Sequence, residues 1–461
     1  MSRTEEKKTR RDIDMTQGPI AGPMLLFILP LIGGSLFQLL YNTVDFLFVG
    51  NFLDKTAAAA VGASSTLISC TVGMFSGISV GTSVVAAQAI GAGHDERASR
   101  AVHTAVAFGL IGGALMLILG EVFAPHILRL LNTPETVLPQ AVVYIRIYLI
   151  SLPMLIFYNM VSGGMRSYGD SRSPFLVLVV CGLLNVVFDA VFILVIPLGV
   201  AGVAIATTLT QSLSALLVGY LSSRPGARIR LQAGQVSIDR ELLKNILHIG
   251  LPTGIQTIII TFSNVIVQYY INSFGETAVA AFATYYKVEN LNYMPIMAFG
   301  QAATTFAGQN TGAGKFRRVK KGTVITALMG MGIVLLISRA ILLFPETVFG
   351  WFMKDTGVVG DAVLLASVSF PFYFIYPVLE VFGGSVRGMG YSLLSMIVVI
   401  LNMCVLRISL LAIFTRTVGT LGSLAAVYPI TWATASVSFL IIFFIIIRRK
   451  IAGEKAQGAK T

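Results

Sequence analysis

Charged residues are scarce in this sequence. Only 12% of the 461 residues are Asp, Glu, Lys or Arg, whereas 55% are hydrophobic, and the mean hydropathy is +0.82. A soluble domain carries about 25% charged residues, so this chain cannot cover a water-exposed surface. The shortage excludes an ordinary soluble enzyme or binding protein and indicates that lipid surrounds most of the chain.

Cysteine is scarcer still, and no secretory signal is recognisable. Cys70, Cys181 and Cys404 are the only three cysteines, and all fall far apart inside predicted helices. This spacing favours neither a disulfide nor a Cys-x-x-Cys metal site. The first 18 residues are charged and lack the apolar core and cleavage site of a signal peptide, so we expect them to stay as a cytoplasmic tail.

Long apolar stretches fill the rest of the sequence. About 20 apolar residues cross the ~30 Å hydrocarbon core of a bilayer as a helix. Twelve such stretches are present, at residues 22–51, 56–87, 98–123, 138–165, 173–196, 199–223, 241–273, 277–307, 317–345, 359–386, 392–415 and 419–447. The predicted fold is an all-α membrane protein with about twelve transmembrane helices.

The distribution of Lys and Arg predicts the topology. With both termini inside, the inner segments hold 25 of these residues and the outer loops hold four, as expected for cytoplasmic loops. We predict a cytoplasmic tail at 1–19, an N-lobe at 20–223, a cytoplasmic linker at 224–240, a C-lobe at 241–447 and a cytoplasmic tail at 448–461. The net charge of +12 then reflects topology in the cell membrane, and no nucleic-acid partner is predicted.

The two halves repeat each other. Gln88-Ala-Ile-Gly-Ala-Gly recurs as Gln309-Asn-Thr-Gly-Ala-Gly, and Arg166-Ser-Tyr-Gly recurs as Arg387-Gly-Met-Gly, each 221 positions later. Six helices per half make these parallel repeats, related by an axis along the membrane normal. Such duplication is typical of secondary transporters, whose substrate path lies where the two repeats meet.

Few acidic residues lie in the middle of a predicted helix, where a carboxylate is a functional candidate by default. Asp45 on helix 1 and Asp189 on helix 5 lie six and seven residues below the outer surface, Asn185 lies one turn from Asp189, and Thr207 on helix 6 lies at a similar depth. Helical geometry therefore predicts that three helices bring these oxygens to one level.

Oxygen-rich clusters of this kind suit Na⁺, while two nearby carboxylates in a medium of low dielectric can instead hold a proton. The sequence leaves both ions open. The alternative is that Asp45 and Asp189 are buried structural acids that neighbouring Asn and Thr side chains satisfy. Tyr41 and Asn42, one turn from Asp45, add polar groups that are candidates for substrate contacts.

Glu289 lies near the middle of helix 8, two positions after Lys287, so the two side chains point to different faces and need separate partners. Glu289 either attracts a cationic substrate or pairs with Lys287 or Arg407. Glu380, seven residues before Arg387, fits a structural role better. Aromatic and Met residues of helices 1, 4 and 8 could line an adaptable cavity for flat apolar cations, or simply face lipid.

Together these motifs resemble the multidrug and toxic compound extrusion (MATE) family over residues 20–447. The resemblance rests on Leu29-Pro30, Tyr41-Asn-Thr-Val-Asp45, the paired Gln-x-x-Gly-Ala-Gly and Arg-x-x-Gly ends, and Asn185-Val-Val-Phe-Asp189 followed by Gly202-Val-Ala-Ile-Ala-Thr207. It implies two six-helix lobes in a V, and alternating-access export of organic cations in exchange for Na⁺ or H⁺.

The N-lobe pattern is similar to the DinF-like bacterial branch. That resemblance implies that Asp45, Asn185, Asp189 and Thr207 hold the coupling cation, and that Glu289 matches an acid that contacts substrate in some bacterial members. Helix 7 carries no acid, so a C-lobe ion site is not expected. We expect small organic cations and membrane lipid as partners, a monomer, no catalytic residues, no cofactor, and no metal beyond a coupling Na⁺.

Two other functions compete with this interpretation. A flippase for lipid-linked glycans predicts a cavity rich in Arg and Lys, but only Arg146, Lys287, Arg339 and Arg407 lie within helices. An intramembrane prenyltransferase needs several clustered Asp residues to hold Mg²⁺. Asp189 has no acidic neighbour within ten positions, which disfavours the enzyme.

Overall fold

A computed structural model describes residues 13–458, which form helices joined by short loops and include no β-strand. The predicted all-α fold is therefore confirmed. Residues 1–12 of the predicted N-terminal tail and 459–461 of the predicted C-terminal tail lie outside the described residues.

The first half of the chain contains seven α-helices and a π-helical segment. They are α1 (Ala21–Phe52), α2 (Lys55–Gly91), α3 (Asp95–Leu130), α4 (Leu138–Ile150), α5 (Leu152–Ser167), α6 (Arg172–Ala190), the π-helical segment Val191–Val195, and α7 (Val200–Ser223). Asp54 caps α2 by accepting a 2.7 Å hydrogen bond from the amide of Ala57, which satisfies a backbone donor that the first turn leaves free.

The second half adds nine α-helices, a second π-helical segment and two short 3₁₀ turns. They are α8 (Arg240–Asn272), α9 (Glu276–Gly312), α10 (Phe316–Leu343), α11 (Pro345–Gly350), α12 (Thr356–Ser369), α13 (Tyr376–Gly388), α14 (Ser392–Val399), the π-helical segment Ile400–Leu406, α15 (Arg407–Thr417) and α16 (Leu421–Gly458), with 3₁₀ turns at Ala233–Gln235 and Phe370–Ile375.

The helices account for the twelve predicted spans. Within residues 13–458, ten helices or continuous helical segments are long and apolar enough to cross a membrane, and the bent pair α4 and α5 makes an eleventh span. The 37-residue α9 is long enough as well, but Lys287, Glu289 and its Asn residues lower its hydropathy. The chain is thus a multi-pass membrane protein whose least apolar span carries a candidate site residue.

Prolines lie at the interruptions of the fourth and tenth predicted spans. α4 and α5 meet at an angle of 44° beside Pro153, and α12 passes into α13 through a 3₁₀ turn that contains Pro371. A proline lacks the amide hydrogen that would continue the helical hydrogen bonds, so it kinks or interrupts a helix. Pro153 and Pro371 therefore lie where the regular α-helix of these two spans is interrupted.

The chain divides into two compact units, and both division points fall inside helices. One unit contains Leu29–Gly254; the other contains Met15–Ile28 and the chain from Ile255 onward. The first part of α1 therefore belongs with the second unit, and the first part of α8 with the first unit. In each case a proline lies close to the division point, Pro30 in α1 and Pro252 in α8.

The predicted linker is fixed to α3 at several points. The amide of Gln232 donates to His103 Nε2 at 3.1 Å, and the amide of Asp239 donates to the Thr104 hydroxyl at 3.1 Å. Arg97 and Glu241 form an ion pair at 2.8 Å. These contacts hold the start of α8 within the first unit.

Candidate functional site

The candidate ion site forms where α1 and α6 run side by side. The contacts follow the same order along both helices: Gly33 with Phe175, Phe37 and Tyr41 with Gly182, and Asp45 with Asn185. The two helices are therefore parallel, as predicted for the first and fifth spans. An added Cβ at Gly182 would lie 2.5 Å from Phe37 Cε1 and 3.3 Å from Tyr41 Cδ1, so the glycine permits this close approach.

Asn185 fixes the carboxylate of Asp45. The amide nitrogen of Asn185 faces Asp45 and donates to its two carboxylate oxygens at 3.0 and 3.2 Å. The reverse orientation of the amide would place three oxygens together without a donor, which is why the nitrogen is assigned to this side. Asn185 is buried and Asp45 only partly so.

Asp189 completes what we call the aspartate site, made of Asp45, Asn185 and Asp189. Its side chain is fully buried at 0% exposure, and no donor among residues 13–458 reaches either carboxylate oxygen. The neighbouring group is the carboxyl of Asp45, close enough for a direct hydrogen bond. Two ionised carboxylates this close repel each other, and a proton or a cation between them would remove that repulsion.

Thr207 and Tyr144 belong to neighbouring helices. Thr207 lies on α7, and its hydroxyl donates to the carbonyl of Val203 at 3.0 Å, which leaves its oxygen lone pairs available. Tyr144 on α4 is buried and close enough to Asp45 and Asp189 to interact electrostatically with both. The sequence-based interpretation included Thr207 but missed Tyr144, whose only signal was a second tyrosine one turn away at position 148.

The other two candidates in α1 differ from each other. Tyr41 is partly buried and lies within electrostatic range of Asp45. Asn42 is exposed, as expected for the adjacent position on a helix. Immediately after Asp189, the helix widens into the π-helical segment Val191–Val195, a distortion that often occurs at functional sites.

A second polar group, the Glu289 cluster, lies among α9, the turn at Phe370–Ile375 and the helices that follow. Its charged members are Glu289 and Arg407. The Tyr373 hydroxyl donates to Glu289 Oε1 at 2.8 Å, and Arg407 interacts with Glu289 electrostatically without forming an ion pair within 4 Å. Arg407 is only 7% exposed and donates to the Thr431 hydroxyl at 3.1 Å.

Aromatic rings surround the two charges of the Glu289 cluster. The guanidinium carbon of Arg407 lies 4.8 Å from the ring centre of Tyr428. The ring centre of Trp432 lies 4.6 Å from that of Tyr373 and 5.3 Å from that of Tyr376. The rings in mutual contact are Tyr285, Tyr286, Phe370, Tyr373, Tyr376, Tyr428 and Trp432. The sequence analysis pointed to the aromatic residues of helix 8, which include Tyr285 and Tyr286. It missed the rings of the later helices, which lie more than 80 positions away.

The remaining intramembrane charges have other neighbours. Lys287 is exposed, whereas Glu289 is partly buried, so the two residues face different directions as expected for their spacing. Glu380 pairs with Arg387 at 3.4 Å, and both side chains are largely buried, at 13% and 12% exposure. This ion pair is consistent with the structural role expected for Glu380. Within residues 13–458, no three His, Cys, Asp or Glu side chains gather into a candidate metal site.

Comparisons with known proteins agree with this architecture. The chain is 30% identical to the "Probable multidrug resistance protein YpnP" of Bacillus subtilis over 89% of this chain and 92% of the relative. It is 25% identical to an "FAD transporter" of Shewanella oneidensis over 75% and 77% of the two chains.

A solved structure described as the outward-facing conformation of a multidrug resistance MATE family transporter has the same fold. It aligns with a TM-score of 0.91 at 23% identity, over 97% of this chain and all of the other. The MatE family model matches twice, at residues 30–191 and 252–413, which confirms the repeat. The chain therefore belongs to the MatE family, the multidrug and toxic compound extrusion transporters that its motifs resemble.

Proposed function

We propose that this protein exports organic cations from the cytoplasm in exchange for Na⁺ or H⁺, and that the aspartate site holds the coupling ion. The observation that carries the proposal is Asp189: a fully buried carboxylate, without a donor, that faces a second carboxylate. Burying a charge without a partner is costly. A bound cation or proton supplies the missing positive charge.

The ion would act through the packing of α1 against α6. Without it, repulsion between Asp45 and Asp189 opposes the close contact of the two helices at this level. With Na⁺, the carboxylate oxygens, the Asn185 side-chain oxygen after an amide rotation, and the Thr207 hydroxyl are suitable ligands. With H⁺, one carboxyl group donates to the other. Either ion favours a packed arrangement of α1 and α6.

Exchange then follows from linkage. If the ion and the substrate stabilise different conformations, each lowers the affinity of the other by the same factor. Ion entry from outside therefore promotes substrate release, and substrate entry from the cytoplasm promotes ion release. We propose that both termini are cytoplasmic, because this orientation places 25 Lys and Arg residues inside and four outside.

The Glu289 cluster is the proposed contact for the substrate. A carboxylate beside tyrosine and tryptophan rings offers both charge and cation–π attraction to a flat organic cation. Tyr286 and Tyr293, both partly exposed, add planar apolar surface nearby. Relatives named as multidrug resistance proteins support this substrate class.

The test is gradient-driven efflux of a fluorescent organic cation from proteoliposomes. A Na⁺ gradient and a pH gradient are imposed separately, on the unmodified protein and on Asp189→Asn. We expect one gradient to drive efflux and the substitution to abolish the driven component. Asp54→Asn is the matched control, because it makes the same change at a helix cap outside the aspartate site and Asn preserves the cap.

The outcomes separate the parts of the proposal. Driven efflux that survives in Asp189→Asn would rule out the aspartate site as the coupling site. Equal losses in Asp189→Asn and Asp54→Asn would indicate a general effect on the protein. Efflux that responds to neither gradient would exclude ion exchange.

A flat aromatic anion is a second candidate substrate. The buried guanidinium of Arg407, set against Tyr428 and Thr431, favours it, and one relative is named an FAD transporter. The same vesicles loaded with FAD distinguish the candidates. Export of FAD but of no organic cation would replace the first substrate class with the second.

A further inference from the structure

A groove of about 250 Å³ lies between the start of α14 and the C-terminal part of α16. Leu394 forms one wall, and Ile442, Ile445 and Ile446 form the other. Arg449 and Lys450 lie at its end, and Tyr391 lies beside them. We call this the α14–α16 groove; it is separate from the aspartate site and the Glu289 cluster.

The residues of α16 that line the groove follow helical spacing. Ile442, Ile445 and Ile446 are followed by Arg449 and Lys450, at intervals of three, four, seven and eight positions, so they share one face of the helix. That face changes from aliphatic to cationic over two turns, a distance of about 10 Å at 1.5 Å per residue. Another face of α16 packs into the protein interior through Phe443 and Ile447, which are both fully buried.

The groove is open and positively charged at one end. Leu394 and Ile445 are 39% and 47% exposed, and Arg449 and Lys450 are exposed as well. No acidic side chain lines the groove. The nearest acid along α16 is Glu454, one turn beyond Lys450. Lys450 Nζ lies 5.8 Å from the ring centre of Phe316, a contact that leaves its positive charge unneutralised. The two cationic groups are therefore available to an anion that also has an apolar part.

We infer that the α14–α16 groove binds an anionic phospholipid of the inner leaflet. The isoleucine wall lies within a span that faces hydrocarbon, where acyl chains are the available apolar ligand. Arg449 and Lys450 lie where the span reaches the interface, and basic residues at the cytoplasmic surface attract anionic headgroups. The inference rests on the proposed orientation, with the C-terminus inside, but not on the proposed substrate or coupling ion.

The corresponding end of the first half lacks these features. α7 ends at Ser223, and each of the three Arg residues that follow it has a partner within the first half. Arg224 lies over the Tyr220 ring at 4.4 Å, Arg228 pairs with Asp95 at 3.3 Å, and Arg230 donates to the Ser223 carbonyl at 3.2 Å. An adjacent pair of cations without an acidic partner, as at Arg449 and Lys450, does not recur at this end of the first half.

The test measures lipid retention by native mass spectrometry on the purified full-length protein. Dioleoyl phosphatidylglycerol and dioleoyl phosphatidylcholine are added at equal concentration. We expect preferential retention of phosphatidylglycerol, and a roughly tenfold or greater loss of its affinity in the double variant Arg449→Ala/Lys450→Ala, because each cation contributes to headgroup attraction. Arg448→Ala removes the same charge from the neighbouring position outside the groove, and its affinity should change less than twofold.

A second variant tests the apolar wall. Leu394→Trp narrows the groove without changing its charge and should also reduce retention of phosphatidylglycerol. Equal retention of the two lipids, or an effect of Arg448→Ala as large as that of the double variant, would overturn the inference by showing general surface attraction. Competition by soluble glycerol phosphate at the concentration of the lipid would overturn it too, because the anion alone would then be the ligand.

Discussion

The aspartate site and the Glu289 cluster differ in whether the protein supplies a positive charge beside an intramembrane carboxylate. Asp189 faces Asp45, and no donor in the described part of the chain reaches either of its oxygens. Glu289 accepts a hydrogen bond from Tyr373 and has the guanidinium of Arg407 in its surroundings. Residues 13–458 thus provide a cation near Glu289 but none beside the two carboxyl groups of the aspartate site.

The difference is notable because the two halves share one template. The matches to the family model begin at residues 30 and 252, an offset of 222, and Arg407 lies 222 positions after Asn185. The second half thus carries a cation near the position where the first half carries the amide that holds Asp45. The two halves therefore share one template but differ in charge at this position, and the proposed ion site lies in the first half.

The largest change in stability is expected when Arg407, the cation of the Glu289 cluster, is removed. Arg407→Met removes the hydrogen bonds to Thr431 and leaves the Glu289 charge without its cationic neighbour. We expect the free energy of unfolding to fall by roughly 2–4 kcal/mol, as when one member of a buried charged set is removed. Denaturation in detergent, followed by fluorescence, measures it.

Lys287→Met is the matched control for Arg407→Met. It removes a cation from the exposed face of the helix that carries Glu289, and its effect should stay within about 0.5 kcal/mol. Equal effects of the two substitutions would mean that Arg407 does not compensate Glu289, and the contrast between the two sites would disappear.

At the aspartate site, we expect a substitution to raise the free energy of unfolding instead of lowering it. Asp189→Asn replaces the Asp189 carboxyl group with an amide that can donate to Asp45. In Na⁺-free buffer at alkaline pH, where the pair lacks both the ion and the shared proton, the variant should therefore be more stable than the unmodified protein by about 1–2 kcal/mol. Na⁺ or added protons should stabilise the unmodified protein, because each binds the folded pair. The gain of the variant should therefore shrink as Na⁺ is added or as the pH is lowered.

Thermal unfolding in NaCl and in choline chloride, each at two pH values, provides the measurement. Asp54→Asn serves again as the control and should show neither the gain nor a change in ion dependence. A destabilised Asp189→Asn variant would indicate that the carboxylate already has a partner in the folded protein, and the proposed ion site would lose its basis.

The fold could be predicted from the sequence because lipid imposes simple rules. The twelve apolar stretches were enough to place the helices, and their predicted ends mostly lie within a few residues of those observed. α16 is an exception, since it continues past the predicted end at 447 to Gly458. Charged residues end an apolar stretch, but they do not end a helix.

The aspartate site was predictable for a similar reason. Asp45, Asn185 and Asp189 lie on helices whose depth can be counted from the membrane surface, and charge inside a span is rare enough to be noticed. The Glu289 cluster was less predictable, because Tyr373, Tyr428 and Trp432 are ordinary residues for membrane helices. Their convergence depends on how α9, α13 and α16 pack, which spacing within a single helix does not reveal.

The smallest expected effect concerns Thr207, the predicted ligand least tied to the aspartate site. Its hydroxyl donates to Val203, so the oxygen can contribute only a lone pair to an ion. Thr207→Val should raise the Na⁺ concentration for half-maximal efflux by about threefold, as expected for the loss of one neutral ligand. Thr207→Ser, which keeps the hydroxyl, should change this concentration little. Thr210→Val, one turn away and bonded in the same manner to Ala206, controls for the loss of a helix hydroxyl. If Thr207→Val and Thr210→Val change the half-maximal Na⁺ concentration equally, the ion ligands are confined to α1 and α6. If a pH gradient drives efflux equally in all variants, a proton shared by Asp45 and Asp189 is favoured, because a proton needs no further oxygen ligand.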